Sequence, residues 1–361
     1  MINLSDPAFS DPYIPSRPWV GNRPPRRILA IRLQATGDTV ITLPYLQDLR
    51  RRLPVSARLD FLTREETASI PRSLRLFDRI FVIRGKRNFY KQLLFAVILV
   101  PILRLRRYDV VIDLQNNLIS RMIRKSIAPK SWSVFDKRSP RAAGERTRLT
   151  IEASGLGATR PDTDFVLRQP RNGREILLEN GWDGHSGLVV LNPAAAFMTR
   201  NWPLQRYVEF SRQWRRRFPD TQFILLGTRF IAEKSAYLLR MLDNGAGIDL
   251  VGNTSPSDAF SVLQHVSLVL SEDSGLMHMA WVSGIPTMAL FGGSRSDWAR
   301  PLGHHAAFLD SKDLVCAPCM LETCPYGDVH CMSGHSVTQV LEQCLRLVDD
   351  NGLRQGPYAG L

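Results

Sequence analysis

No stretch of this chain is apolar enough for long enough to cross a bilayer. The most apolar segment, Leu93 to Leu103, falls well short of the ~20 residues that a spanning helix needs, and Pro101 interrupts it. The first twenty-five residues hold Pro, Ser and Asp where an export signal would carry an apolar core, so a cytoplasmic chain is expected. Cysteine is scarce, at five residues with four clustered late. Without an export signal, free thiols or a bound metal are expected in preference to disulfides. There is no aromatic stacking ladder and no recognised nucleic-acid module, which argues against nucleic acid as the partner.

Acidic residues are too few to balance the basic ones, and the shortfall is one-sided. Residues 1–172 hold 32 Lys and Arg against 15 Asp and Glu, whereas residues 173–361 hold 15 against 19, for a formal net charge of +13. An anionic partner is therefore expected to meet the N-terminal half. A phosphorylated sugar acceptor, an anionic lipid and nucleic acid all qualify as that partner, and so does no specific partner at all, the surface being simply basic and solvated.

What is present is enough for two α/β domains. A length of 361 residues exceeds one ordinary core, and 44% apolar with 22% charged residues is a globular composition. The expected division is a flexible lead-in over 1–24, a first domain over 25–170, a linker over 171–183 marked by Pro170, Asn172 and Gly173, a second domain over 184–335, and a helix and tail over 336–361. In the first domain Arg27–Ile31 reads as a strand, and Gln34 to Asp38 turns it into a helix reaching Arg52. Arg58–Leu62 and Arg79–Ile83 continue the alternation, with a helix over Glu65 to Leu74 between them. Phe89 to Tyr108 reads as a helix with Lys91 before its apolar centre and Arg104, Arg106 and Arg107 after it. It suits a crossover helix buried on both sides, or one part buried and part laid on a membrane surface. Asp109–Leu114 is a strand followed by Gln115, Asn116 and Asn117, and the basic segment 124–148 has little periodicity, as in a mobile loop for an anionic acceptor or a plain solvated face.

In the second domain Leu188–Pro193 opens a new strand, and its exit loop leads through Arg200 and Trp202 to Pro203 at a helix start. Phe223–Gly227 follows, with Glu233 on the next helix, where a carboxylate either contacts a ribose or is plain surface. The densest stretch is Ser271 to Ser294. Val266–Leu270 reads as a strand, Glu272 to Gly275 as turn and N-cap, Leu276–Val282 as a helix, and Thr287–Phe291 as a strand that delivers Gly292, Gly293 and Ser294 to the same edge. Helix-start amides and the helix dipole suit a phosphate at Ser274 and Gly275. The final helix, Ser336 to Val348, is expected to pack back across the domains.

The pattern D-S-G-x-x-H-x-A at Asp273, Ser274, Gly275, His278 and Ala280, then Gly284, Pro286 and Thr287, then Phe291-Gly292, resembles glycosyltransferase family nine, the ADP-heptose:lipopolysaccharide heptosyltransferases. The Gly37-Asp38 turn, the loop at Gln115, the element Gly252 to Ser255 and the segment Asp297 to Pro301 are similar to further motifs of that family. The resemblance spans roughly residues 26–348. It implies a GT-B fold, two Rossmann-like α/β domains with parallel sheets facing across a cleft. It implies an inverting, metal-independent transfer from a nucleotide-sugar donor, an ADP-sugar, to a glycolipid acceptor, by a protein peripheral on the inner face of the inner membrane.

The same resemblance implies site roles. Asp38 is the catalytic base, or simply a helix cap; Arg200, where the family typically has Lys, neutralises the donor diphosphate. Asp273, Ser274, Gly275, Gly292, Gly293, Glu233, Thr254 and His278 are donor-side candidates, and Gln115 and Arg121 acceptor-side ones. Ala194 to Ala196 depart from the hydroxyl or small residues often found in that loop and offer backbone amides alone. Cys316, Cys319, Cys324 and Cys331 are a family feature; structural zinc on them is an alternative that their spacing does not favour. A GT-B sugar-nucleotide epimerase and a zinc-containing nucleic-acid-binding protein remain the competing functions. Which sugar, which acceptor and what oligomeric state are open.

Overall fold

The computed structural model describes residues 14–195, 197–243 and 245–350. Among the described residues, twelve strands fall into two six-stranded sheets. In the first, β1 (Ser16–Arg17), β2 (Arg27–Ile31), β3 (Arg58–Arg64), β4 (Arg79–Ile83), β5 (Val110–Asp113) and β6 (Ser131–Val134) lie in the order β1-β6-β5-β2-β3-β4. All pairs in it are parallel except β1 with β6. In the second, β7 (Gly187–Asn192), β8 (Thr221–Leu225), β9 (Gly247–Asp249), β10 (Leu268–Glu272), β11 (Thr287–Leu290) and β12 (Ala306–Leu309) lie in the order β12-β11-β10-β7-β8-β9 and are all parallel.

Parallel strands need crossover helices, and helices on both faces bury the strands completely. Accordingly Ile28 to Ile31, Val110 to Ile112, Val189 to Leu191 and Leu268 to Leu270 have no exposed surface. Strand order reverses between β2 and β5 in one sheet and between β7 and β10 in the other. At such a reversal neighbouring loops leave in opposite directions, and the crevice they open at the carboxyl ends of the strands is where α/β sheets bind ligands.

The chain forms two compact units, Met1–Arg72 with Leu76–Asp162, and Ser73–Arg75 with Thr163–Leu361. The division falls at Asp162, and the region expected as linker holds a helix, Gly173–Glu179, capped by the Asn172 side chain on Arg174 N–H at 3.0 Å. The expected lead-in is ordered from residue 14: β1 pairs with β6, and Trp19 N–H donates to Ser154 O at 2.8 Å. Residues 1–13 and 351–361 lie outside the described residues, as does Ala196.

The helix expected over Glu65 to Leu74 is one turn, Ser69–Arg72. The basic segment is not a loop: it holds β6 and the helix Ala143–Ala153, on which Arg148 pairs with Glu152 at 2.8 Å. The last helix, Val337–Asp350, places Val337, Val340, Cys344 and Val348 in the core of the second unit with Trp202, Phe210 and Trp214.

Candidate functional site

Each sheet assembles polar groups at its reversal. After β2 the chain turns into the helix Thr36–Arg52, with Asp38 in its first turn. The Asp38 carboxylate accepts Ala35 N–H at 3.1 Å, so the cap-like role is real, and it also meets the Arg32 guanidinium at 2.6 Å with 38% of its side chain still exposed. Arg32 is buried, donates to Leu114 O and lies over the Phe135 ring. The carboxylate is thus aimed by a fixed cation while remaining open to solvent. Gln115, two residues past the end of β5, is buried; its Oε1 accepts Leu33 N–H and Gln34 N–H, both at 2.9 Å. Beside it Asp113 is fully buried, and burial pushes its carboxyl up against the opposing amides of Asn116 and Gln115, the Ser120 hydroxyl and Arg124. Partial desolvation holds the Lys137 ammonium below the usual lysine range; Arg32 and Arg121 add to this, and Asp113 opposes it.

At the second reversal, β7 exits into the loop 193–203, which contains a short turn, Met198–Arg200, before the helix Leu204–Arg217. Arg200 Nη1 meets Asp273 Oδ2 at 3.3 Å and its guanidinium stacks over Phe197, while its buried Nε–H has no acceptor among the described residues. Ser274 caps the helix Gly275–Val282 through Met277 N–H at 3.2 Å and accepts Asn192 Nδ2 at 3.0 Å.

The loop itself is held by a group the sequence reading passed over as turn chemistry. Glu272, the last residue of β10, is fully buried and accepts Ala195 N–H at 2.9 Å and Trp202 N–H at 2.7 Å, gripping both ends of the loop. Burial pushes its carboxyl up to about 7, opposed by Lys234, by those two amides and by the Tyr207 phenol. Lys234 in turn donates to Pro193 O at 3.0 Å and to the Asn201 side chain, and burial lowers its ammonium while Glu272 opposes the shift. A residue at or just beyond the end of the equivalent strand grips the loop in both sheets: Gln115 in the first, Glu272 in the second.

Several expected contacts are placed differently. Gln115 has its carbonyl oxygen committed to the Asp38 loop rather than turned to an acceptor, whereas Arg121 is exposed, with Nη2 at 3.4 Å from Asn116 Oδ1. Glu233 is exposed; Lys234, one residue and about 100° further round the helix, faces the loop. Gly292 and Gly293 are buried packing positions: a Cβ at Gly293 would stand 2.7 Å from Thr199 Oγ1, and one at Gly292 would stand 2.6 Å from Thr199 O. Their small size lets Gly293 N–H reach Thr199 O at 2.8 Å and seat the Arg200 turn. His278 is buried in its helix beside Trp281. Thr254 is half-buried just before Ser255, which caps the helix Pro256–Leu263 reciprocally with Asp258.

Cys316, Cys319, Cys324 and Cys331 are free thiols ranging from exposed to buried, and among the described residues no three His, Cys, Asp or Glu converge to hold a metal ion. A hollow of about 440 Å³ beside them is lined by Arg295, Asp297, Arg300, Asp310 and Lys312. No helix among the described residues is long and apolar enough to cross a membrane.

Two parallel-sheet α/β units, each with its polar loops at the strand-order reversal, define a glycosyltransferase fold of the GT-B class. The family described as glycosyltransferase family 9 (heptosyltransferase) matches residues 99–330, and the chain belongs to that family. The chain is 26% identical over 330 residues to lipopolysaccharide heptosyltransferase 1 of Pseudomonas aeruginosa, covering 83% of this chain and 88% of that protein. Its fold is similar to E. coli ADP-heptose lps heptosyltransferase II, with a TM-score of 0.69 at 19% identity over 90% of this chain and 99% of that one. It is similar also to E. coli heptosyltransferase WaaC with ADP, with a TM-score of 0.64 at 18% identity over 88% and 99%. Family membership sets aside the nucleic-acid-binding alternative: the protein is a glycosyltransferase.

Proposed function

We propose that this enzyme moves a heptose from an ADP-heptose donor to a hydroxyl of a lipopolysaccharide core or related glycolipid, with inversion and without a metal ion, at the inner face of the inner membrane. The observation that carries the reading is the Arg200, Asp273 and Ser274 group at the second sheet's reversal, in a chain of the heptosyltransferase family. A relative named as a lipopolysaccharide heptosyltransferase and a similar fold named with ADP support the donor and acceptor classes.

In this reading Asp38 takes the acceptor hydroxyl proton as that oxygen bonds to the anomeric carbon, and the bond from that carbon to the β-phosphate oxygen breaks. A single displacement inverts the centre. Negative charge then grows on the departing ADP. The Arg200 guanidinium, whose Nε–H has no acceptor among the described residues, and the amides at the Gly275 helix start stabilise it. Asp273 holds Arg200 in place until the diphosphate competes for it, and Arg121 and Lys137 meet the anionic acceptor.

Thermal shift with ADP, UDP, GDP and CMP tests the donor side, because a ligand specific to the native state raises its stability. ADP alone should stabilise the protein, and Arg200→Ala should abolish the effect. The Asp38→Asn variant should keep the ADP response and lose transfer by about 10²-fold or more. Stabilisation by a different nucleotide removes ADP-heptose, and surviving transfer removes Asp38 as base.

A further inference from the structure

The helix Phe89–Leu105 of the first unit is half buried and half bare, and its bare half is apolar. Gln92, Ala96 and Leu103 face the sheet, with Phe95, Leu99 and Val100 packed against the same core. Tyr90 (81% exposed), Leu94 (60%), Ile98 (57%) and Leu105 (82%) lie at helical spacing on the opposite side, joined by Val97, Pro101 and Ile102. Polar residues should occupy the outer face of a crossover helix, and a contiguous apolar strip of this kind marks an interaction surface.

Charge identifies the partner. Residues 79–108 contain eight Lys and Arg and no Asp or Glu. Arg84, Lys86, Arg87 and Lys91 are exposed around the helix start, and Arg104 and Arg107 at its end. Past that end a hollow of about 350 Å³, lined by Arg27, Arg58, Arg79 and Arg106 with Asp60 and Asp78, extends the cationic surface. Two copies of this chain meeting through the strip would oppose cation to cation. An anionic bilayer matches both features, since acyl chains take the apolar strip and headgroups the flanking cations. Seventeen residues of helix span about 26 Å, less than the hydrocarbon core, so the helix lies along the surface.

We propose that Phe89–Leu105 is a membrane-docking helix that seats this enzyme on an anionic bilayer. The proposal deepens the glycolipid-acceptor reading and draws its biological sense from it, but docking is measured without donor or acceptor. Vesicles of phosphatidylcholine alone and with about 30% phosphatidylglycerol are floated with the full chain, the Leu94→Asp/Ile98→Asp variant and the Arg104→Glu/Arg107→Glu variant. The native protein should partition onto the anionic vesicles at least about tenfold more than onto neutral ones; the apolar-strip variant should lose that binding, and the charge variant should lose the preference.

A native thermal melt shows that the strip variant is folded, and its turnover of a detergent-dispersed acceptor should match the native enzyme. Native-like flotation of the folded strip variant overturns the proposal. So does a native chain that ignores vesicles, including one that light scattering shows as a dimer which the strip variant dissociates. A native chain that does not dock but still turns over the dispersed acceptor overturns the docking proposal and leaves the transferase reading standing.

Discussion

Replacing Glu272 by Gln should change how the stability of this protein depends on pH. Glu272 is fully buried, and its carboxyl stands near 7 against an ordinary 4.5. The folded state therefore holds this proton more tightly than the unfolded chain does. Stability from this site is complete below the unfolded value, falls as pH rises between the two, and levels off above the folded one. A displacement of this size is worth about 3 kcal/mol. In a unit of this length that corresponds to roughly 6–12 °C in Tm.

The amide cannot titrate, so the Glu272→Gln curve should lack this component between pH 5 and pH 8. It will carry a constant penalty instead. The carboxylate gives one oxygen to Ala195 N–H and the other to Trp202 N–H, and an amide turns an N–H donor towards one of them. Scanning fluorimetry of both proteins over that range separates the two effects: the native Tm should fall relative to the variant by the amount above. Parallel curves would refute the assignment of a buried, proton-binding carboxylate. Donor KM should rise in the variant, because the loop that carries Arg200 loses one of its two hydrogen bonds to this side chain.

Three further outcomes follow from named contacts. Arg32→Met removes the cation at 2.6 Å from Asp38, and transfer should fall by about 10²-fold with ADP binding unchanged in calorimetry. Gly293→Ala forces a Cβ to 2.7 Å from Thr199 Oγ1 and should cost about 1–3 kcal/mol by denaturant titration, with a weaker ADP response from a displaced Arg200 turn. In thiol labelling read by mass spectrometry, exposed Cys316 should react first. Cys331, pushed up to about 11 by burial and then by Cys319, Cys316 and Cys324, and Cys344, pushed up further by complete burial, should react only on unfolding.

The alternation of apolar runs with turn residues was enough to read both parallel sheets, because strands buried on both faces leave a continuous apolar signature at β2, β5, β7 and β10. Local signals misled where tertiary partners decide. Glu272 beside Asp273 and Ser274 looks like turn chemistry, and its burial depends on Ala195 and Trp202, some seventy residues away. The one available hint was a carboxylate joined directly to an apolar strand. Glu233 and Lys234 differ by a single helical step, which composition does not resolve and which the Pro193 carbonyl settles. Ser16 and Arg17 read as a loose leader because two residues carry no periodicity; their order comes from the edge of β6. The basic segment 124–148 showed no pattern because its cations are used singly: Arg124 lies over Trp132 beside Asp113, and Arg141 pairs with Glu145.

The two loop grips, Gln115 and Glu272, solve one geometric problem with different chemistry, and this makes the halves of the molecule separately addressable. The amide is indifferent to proton concentration, while the carboxylate changes its charge within the range of ordinary buffers. Of these two gripping side chains, only the one on the Arg200 loop therefore responds directly to acidity. Buffer pH thus reaches one grip and not the other without any change to the chain.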